Sequence, residues 1–247
     1  VKGWDVPKIL AALTSGSSKL AALIVDPLMG RFGVVPPPDG VLEEIAEACR
    51  DNGVFLVMDE RVSGFRVHRG GVAALAGVVP DAAVYGAALG GGFPIGVVAF
   101  REAQPPLNGF DPPPTPHPVA LGAADAILSI LKNDAVYEQL EKRTSQLVDG
   151  LKDLAERFEW PLTINRVGSI FGIYLTDKPV TNQRSLKASD VDGYRRFAAL
   201  LRAEGILLPR EPGRAAFVSS THGGKDIDET LAACEKVLLN LHPEDDA

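Results

Sequence analysis

The chain has 247 residues, 46% of them hydrophobic, which is enough to form a buried core in one or two domains. Its 25 basic and 32 acidic residues give a net charge of −7 without any basic run, so neither nucleic acid nor an anionic membrane surface is an expected partner. We expect no secretory leader and no membrane span, since no apolar run approaches the roughly 18 residues needed, and the cytoplasm is the expected location.

Short apolar runs alternate with amphipathic segments over the first hundred residues. The runs predict strands at 20–25, 54–58, 82–85 and 95–100, and a helix at 42–52 has Glu43 and Glu44 in its first turn. Strand and helix alternation with continuously apolar strands predicts a parallel or mixed α/β sheet covered on both faces. Four such strands alone would leave edges and apolar faces bare, so something else should complete the sheet.

The second half of the chain follows a proline-rich stretch. Residues 104–118 contain seven prolines, which predict an exposed loop at 105–118 between one domain at 1–104 and another at 119–247. In the second domain the periodicity predicts helices at 119–131, 135–158 and 191–204, with strands at 170–175 and 216–219. A last helix should begin at Asp226, whose spacing to Glu229 is typical of a capping box.

Neither metal chemistry nor reactive thiols are indicated. The four histidines are scattered without metal-ligand spacing, so no metal site is expected. Cys49 and Cys234 occupy apolar positions of helical patterns and have no CxxC partner, which favours buried thiols in a reducing compartment.

Five segments carry a family resemblance: LAALIVDPLMGRFGVVPPPDGVLEEI (20–45), VFLVMDERVSGFR (54–66), VYGAALGGGFPIG (84–96), NRVGSIFGIYLTDKPV (165–180) and GILLPREPGRAAFVSSTHGGKDIDET (205–230). The chain resembles class III aminotransferases of pyridoxal-phosphate (PLP) fold type I, with glutamate-1-semialdehyde 2,1-aminomutase as the nearer match. The resemblance implies an incomplete large domain with a mixed, mostly parallel sheet, followed by an α+β small C-terminal domain. It covers only the later part of the family, without the N-terminal portion that holds the phosphate-binding turn.

The resemblance also implies where a coenzyme would lie. Asp59 matches the aspartate that pairs with the pyridine nitrogen and strengthens the electron sink, although an acid at a strand end is often a simple turn cap. Ala87 stands where the family has its Schiff-base lysine, and a methyl group can neither form an imine nor move a proton. We therefore assign no catalytic residue and expect no PLP covalently bound to this chain.

Other matched positions also depart from the family. Arg61 replaces a valine that packs on the pyridine ring, and Arg31 replaces a polar residue near the phenolic oxygen. Pro113 stands where a neighbouring subunit offers a threonine to the phosphate, which leaves Thr115 as the nearby hydroxyl. Each arginine could equally be an ordinary surface residue. The positions expected to line the ancestral cofactor pocket are Asp59, Arg61, Ala87, Arg31 and Thr115.

Three functions fit these observations. The chain could be a subunit of a split or heteromeric class III enzyme. Its partner would be either a second chain that supplies the N-terminal half or a complete homologous protomer that uses this chain in its interface. PLP would then bind only with that partner. It could instead be a pseudoenzyme with a structural or regulatory role. A third hypothesis is an enzyme that needs no Schiff base, with Asp59, Glu60 and His68 as acids and bases, although no triad spacing supports a specific reaction.

Overall fold

A computed structural model describes residues 3–16, 20–30, 32–103 and 117–241. The chain forms two compact units. The first unit comprises Gly3–Leu28 and Pro37–Asp134, and the second comprises Met29–Pro36 and Ala135–Ala247. The domain limits expected at 104 and 118 remain a prediction, while contacts within the chain group the helix that follows the proline-rich stretch with the first unit.

The first unit is an α/β sheet with helices between its strands. Its order is α1 (Val6–Gly16), β1 (Ala22–Val25), α2 (Val41–Asp51), β2 (Phe55–Asp59), α3 (Gly71–Leu75), β3 (Ala82–Tyr85), a 3₁₀ helix (Ala87–Gly90), β4 (Val97–Phe100) and α4 (Pro118–Ile130). The strands lie in the order β1-β2-β3-β4; β1, β2 and β3 are parallel and β4 is antiparallel to β3. The prediction of a mixed, mostly parallel sheet is confirmed.

Helix α2 illustrates how the sequence dictates the local structure. Parallel strands need a crossover connection, and α2 connects β1 to β2. Acidic Glu43 and Glu44 lie in its first turn and Arg50 in its last, where each charge favours the helix dipole. The opposite face is apolar and buried, and consists of Val41, Leu42, Ile45, Ala46 and Cys49.

The outer strand β4 is unusual for a sheet of this class. Its apolar side chains remain exposed, with Val97 at 41%, Val98 at 52% and Phe100 at 47% of their full accessibility. Because successive residues of a strand point to opposite faces, β4 is uncovered on both. Among the described residues, β4 pairs with β3 alone.

The second unit is an α+β domain, as predicted. It contains α5 (Ala135–Arg157), β5 (Thr163–Val167), β6 (Ile170–Tyr174), α6 (Gln183–Lys187), α7 (Val191–Ala203), β7 (Ala216–Phe217) and α8 (Gly224–Asn240). Its antiparallel sheet has the order β5-β6-β7. Long helices pack on this sheet around a continuous apolar core that includes Leu147, Leu151, Phe171, Ile173, Phe197, Leu201, Val237 and Leu238.

The start predicted for the last helix is wrong by two residues. Helix α8 begins at Gly224, with Gly223 as its N-cap, and Asp226 is the third helical residue. The Asp226 carboxylate accepts a hydrogen bond from the Gly223 amide at 2.6 Å, and Glu229 pairs with Lys225 one turn away. Asp226 therefore supplies the reach-back half of a capping box, because a carboxylate can satisfy a free N–H from inside the first turn.

The segment Met29–Pro36 packs with the second unit. The carbonyl of Gly33 accepts a hydrogen bond from the Tyr174 hydroxyl, and the carbonyl of Gly30 accepts one from the Ala215 amide at 3.3 Å. Val34 is completely buried at a positive φ of 49°, a conformation that β-branched residues rarely adopt. No helix within the described ranges is both long and apolar enough to cross a membrane.

Candidate functional site

Two parallel strands end side by side at the candidate site. Asp59 is the last residue of β2 and lies opposite Val84 of β3, so the residues that leave β3 emerge next to it. Gly86 and Ala87 follow β3 directly, and the 3₁₀ helix begins at Ala87. In parallel α/β sheets, ligands bind beyond the carboxyl ends of the strands, which is where these residues lie.

The Asp59 carboxylate is held by Arg61 through a two-pronged ion pair. Nε of Arg61 donates to Oδ1 of Asp59 at 2.7 Å, and Nη2 donates to Oδ2 at 2.6 Å. The Arg61 amide also donates to Oδ1, at 3.2 Å. This fork uses both carboxylate oxygens, and these hydrogen bonds, followed by the negative charge of Asp59, raise the pKa of Arg61.

The Arg61 side chain lies close to Gly86. Its Cγ atom lies 4.0 Å from the point that a Cβ at Gly86 would occupy, so the side chain passes the residue just before Ala87. The Arg61 side chain is 51% exposed and that of Asp59 is 20% exposed. The structure thus places Arg61 against Asp59 and beside Gly86, the residue before Ala87, and a role of these positions in binding a cofactor remains a prediction.

Lysine is absent not only at position 87 but from a long stretch of the chain around it. No lysine occurs between Lys19 and Lys132, so the four strands of the first unit and the loops that join them contain none. The family resemblance points to the missing lysine at position 87 alone, whereas a count of lysines along the sequence shows that the whole sheet lacks them. Ala87 itself has a positive φ of 46°, a backbone conformation that is unfavourable for residues with a Cβ.

Glu60 has a structural task at the turn after β2. It is completely buried, and its carboxylate accepts hydrogen bonds from the Ala73 amide at 2.8 Å, from the Val72 amide at 3.2 Å and from the Ser63 hydroxyl. Burial raises the pKa of Glu60 above its ordinary value, and the hydrogen bonds from Ser63 and the two amides oppose that shift only in part. Glu60 therefore ties α3 to the loop that follows Asp59.

Aromatic packing holds the same loop against β3. The rings of Phe65 and Tyr85 lie 5.0 Å apart between centroids, and Phe65 has a positive φ of 64°. A Cβ at Gly64 would lie 2.6 Å from Cδ1 of Tyr85, so only glycine fits there. This packing holds Gly64 and Phe65 of the loop against β3.

The hypothesis of an enzyme without a Schiff base gains no support from the geometry. Nδ1 of His68 accepts a hydrogen bond from the Gly70 amide at 3.1 Å, Glu60 is buried under backbone donors, and Asp59 is held by Arg61. No group of three His, Cys, Asp or Glu residues that could hold a metal occurs in the described parts of the chain.

The described residues of this sheet do not fit PLP as the resemblance implies it. That coenzyme needs an amine for its imine and a carboxylate for its pyridine nitrogen, but the sheet has no lysine and Arg61 uses both oxygens of Asp59. The further cofactor positions Arg31 and Thr115 lie outside the described residues and remain predictions.

Known proteins with similar sequences and folds identify the family. The chain matches the family Aminotransferase class-III over residues 6–217. A glutamate-1-semialdehyde 2,1-aminomutase 2 of Brevibacillus brevis is 35% identical over 240 residues, which cover 95% of this chain but 56% of that protein. The chain thus spans about half the length of this relative.

Two solved structures have the same fold. An omega-transaminase from Sphaerobacter thermophilus aligns with a TM-score of 0.79 at 26% identity, over 95% of this chain and 55% of its own. A Lys-to-Ala variant of a glutamate-1-semialdehyde aminomutase from Pseudomonas aeruginosa, in complex with PMP, aligns with a TM-score of 0.83 over 98% of this chain and 56% of its own, and at 22% identity shows the fold alone. This chain therefore belongs to the class III aminotransferase family.

Proposed function

We propose that this chain is a subunit of a heteromeric class III aminotransferase-like or aminomutase-like assembly and forms no coenzyme bond itself. The observation that carries the proposal is the uncovered apolar strand β4 at the edge of the sheet in the first unit. The partner we propose is a second polypeptide that bears the remainder of the class III fold.

Strand β4 has the composition of an inner strand. Burying a Val or Phe side chain is favourable by about 1.5–3 kcal/mol, so Val97, Val98 and Phe100 together would stabilise an assembly that covers them. A long exposed apolar edge is otherwise an aggregation hazard, which proteins usually blunt with charge or proline. Residues 97–100 contain neither.

The uncovered apolar surface extends beyond β4. On β1, at the other edge of the sheet, Ile24 is 69% exposed. Helix α4 of the same unit also carries exposed apolar side chains, namely Val119, Leu121, Leu128 and Ile130. Scattered apolar residues are normal on a protein surface, but their presence on both sheet edges and on one helix favours a protein partner.

The relatives suggest what this partner carries. The Brevibacillus brevis aminomutase has nearly half of its length outside the region that this chain matches. A polypeptide with that remainder would place further strands beside β1 and β4, since unpaired strand edges bind by adding strands.

Coenzyme binding is assigned to the complex. We propose that any PLP in the assembly is bound covalently through an amine of the partner. The reaction would then be an amino-group transfer or shift, and its substrate is set by the partner's residues.

One observation favours the second candidate, a pseudoenzyme subunit without turnover. The ion pair between Arg61 and Asp59 satisfies the carboxylate that the family uses for its coenzyme. An assembly in which this chain only stabilises or regulates its partner would need no other chemistry from this site. The absorption spectrum of the complex tests the first candidate, because an imine of PLP absorbs visible light and a complex without this absorption would favour the pseudoenzyme.

The partner is tested by a charge placed on β4. The chain would be co-expressed with the reading frames adjacent to its gene, and the masses of purified complexes would be measured under native conditions. We expect a heteromer with the wild type, its loss with Val98→Asp, and its retention with the control Leu207→Asp, which changes an exposed leucine of the second unit. A stable monomer with exchange-protected amides in β1 and β4 would contradict the proposal.

A further inference from the structure

We propose that Arg61 is a built-in counterion of Asp59 and keeps the coenzyme away from this carboxylate. For this reason the chain would disfavour binding of PLP and of its amine form, in addition to the effect of the missing lysine. The inference goes beyond the proposed function, because it concerns how the chain's own site is closed and holds whether or not a partner is present.

The first support is the geometry of the fork. A protonated pyridine nitrogen would have to donate to one oxygen of the Asp59 carboxylate, and the two oxygens already accept from Nε and Nη2 of Arg61 at 2.7 and 2.6 Å. Guanidinium matches carboxylate in shape and remains charged at every pH at which proteins fold. A coenzyme nitrogen at Asp59 would have to share these oxygens with the Arg61 guanidinium, whose positive charge opposes a protonated ring nitrogen.

The second support is that the competition is intramolecular. Arg61 lies two residues from Asp59, and its amide binds the same carboxylate at 3.2 Å, so the loop holds the guanidinium near its acceptor. A tethered group competes at an effective concentration of about millimolar or more. A free coenzyme at micromolar concentration is therefore at a disadvantage, although the Arg61 side chain is half exposed.

The third support is the path of the side chain. Cγ of Arg61 lies 4.0 Å from the position that a Cβ at Gly86 would occupy, so the side chain lies beside the turn after β3. A flat aromatic ring set against Asp59 would have to share this space. Arg61 thus excludes the ring by bulk as well as by charge.

The test is a binding measurement that needs no imine. Pyridoxamine 5′-phosphate would be titrated into the isolated chain, and its dissociation constant measured by calorimetry or equilibrium dialysis. We expect Arg61→Val to bind at least about tenfold more tightly than the wild type, a difference of about 1.4 kcal/mol. Arg61→Gln keeps much of the stem but removes the charge, and should give an intermediate affinity.

The control is a second arginine fork far along the chain. Arg195 of the second unit contacts Glu211 through Nε at 3.1 Å and Nη2 at 2.8 Å, so Arg195→Val makes the same chemical change in a similar pair. This variant should leave the affinity unchanged. Circular dichroism checks that each variant is folded.

Equal affinity of the wild type and Arg61→Val would overturn the inference, as would the absence of binding by both. Tighter binding by Arg195→Val as well would also overturn it, because net charge would then be the cause. The measurement uses the chain without a partner, whereas the proposed function is judged by complex formation, so failure of one does not imply failure of the other.

Discussion

Gly71 lies so close to Glu60 that a Cβ at residue 71 would approach the Glu60 carboxylate to 2.4 Å. Gly71 also has a positive φ of 72°, a conformation that side chains with a Cβ rarely adopt. The turn after β2 therefore depends on a residue without a side chain beside a buried acid.

We predict that Gly71→Ala lowers the free energy of unfolding by about 2–4 kcal/mol, since it combines a left-handed backbone with overpacking against Glu60. The control is Gly77→Ala, where φ is 66° and no atom lies within 4 Å of the added Cβ. That variant should lose only about 1 kcal/mol of conformational energy. Denaturant unfolding of both variants measures the difference, and equal losses would argue against the contact with Glu60.

The buried Glu60 carboxyl should make stability depend on pH. Its pKa in the folded chain is raised above the ordinary value of 4.5, so the folded state holds this proton more tightly than the unfolded state does. The contribution of Glu60 is therefore fully present below pH 4.5 and is lost as the pH rises through the folded-state pKa. We expect the stability difference between the wild type and Glu60→Gln to shift against the wild type over that interval.

Unfolding midpoints of the two proteins at a series of pH values test this expectation. The control is Glu47→Gln, which removes a carboxylate from the exposed face of α2, away from the contacts of Glu60. A difference for Glu60→Gln that stays constant, or that shifts in favour of the wild type as the pH rises, would mean that hydrogen bonding outweighs burial at this site.

Ala87 offers a test of the local backbone. Its φ of 46° and its exposed methyl group mean that Ala87→Gly removes strain and loses little packing, so we expect a gain of about 1 kcal/mol in unfolding free energy. Ala88→Gly, one residue further and without a positive φ, should instead lose about 0.5–1 kcal/mol. Thermal unfolding of the two variants should move in opposite directions, and shifts of the same sign would show that Ala87 is not strained.

The sequence predicts elements whose residues interact locally. The β3 strand and the apolar faces of α2 and α5 follow from side-chain periodicity, and their limits are accurate to one or two residues. Strand β5 was missed, because Asn165 and Arg166 interrupt its apolar pattern and pairing with β6 is what holds them extended. The composition predicts a sheet covered on both faces, but β4 is exposed on both faces, and completion of the sheet by another chain remains a prediction.

The candidate site shows the same limit. The resemblance implies that Asp59, Arg61 and Ala87 line one pocket, with Arg61 in place of a valine that packs on the pyridine ring, but it does not predict the ion pair between Arg61 and Asp59. This ion pair requires the turn after β2 to bring the side chains of Asp59 and Arg61, two positions apart, into contact. Intrinsic secondary-structure propensities do not encode such a contact. Likewise, Glu60 was a candidate acid until the positions of the Val72 and Ala73 amides gave it a structural task.

Tyr174 and Gly33 provide the last prediction. The buried Tyr174 hydroxyl donates to the Gly33 carbonyl and so holds the segment Met29–Pro36 on the second unit, and the other donor to this carbonyl, Nδ2 of Asn165, is 3.5 Å away. Tyr174→Phe would leave the carbonyl poorly satisfied, and we expect a loss of about 1–3 kcal/mol.

Amide hydrogen exchange tests whether Tyr174 anchors the segment, because Tyr174→Phe should selectively speed exchange at residues 32–35. Tyr194 is a matched control, because it is also buried and donates to a carbonyl, that of Pro209, at 2.9 Å. Tyr194→Phe should destabilise the second unit by a similar amount without selectively speeding exchange at residues 32–35. If both variants accelerate exchange there equally, the Tyr174 hydroxyl does not anchor the segment, because only global unfolding would then expose those amides.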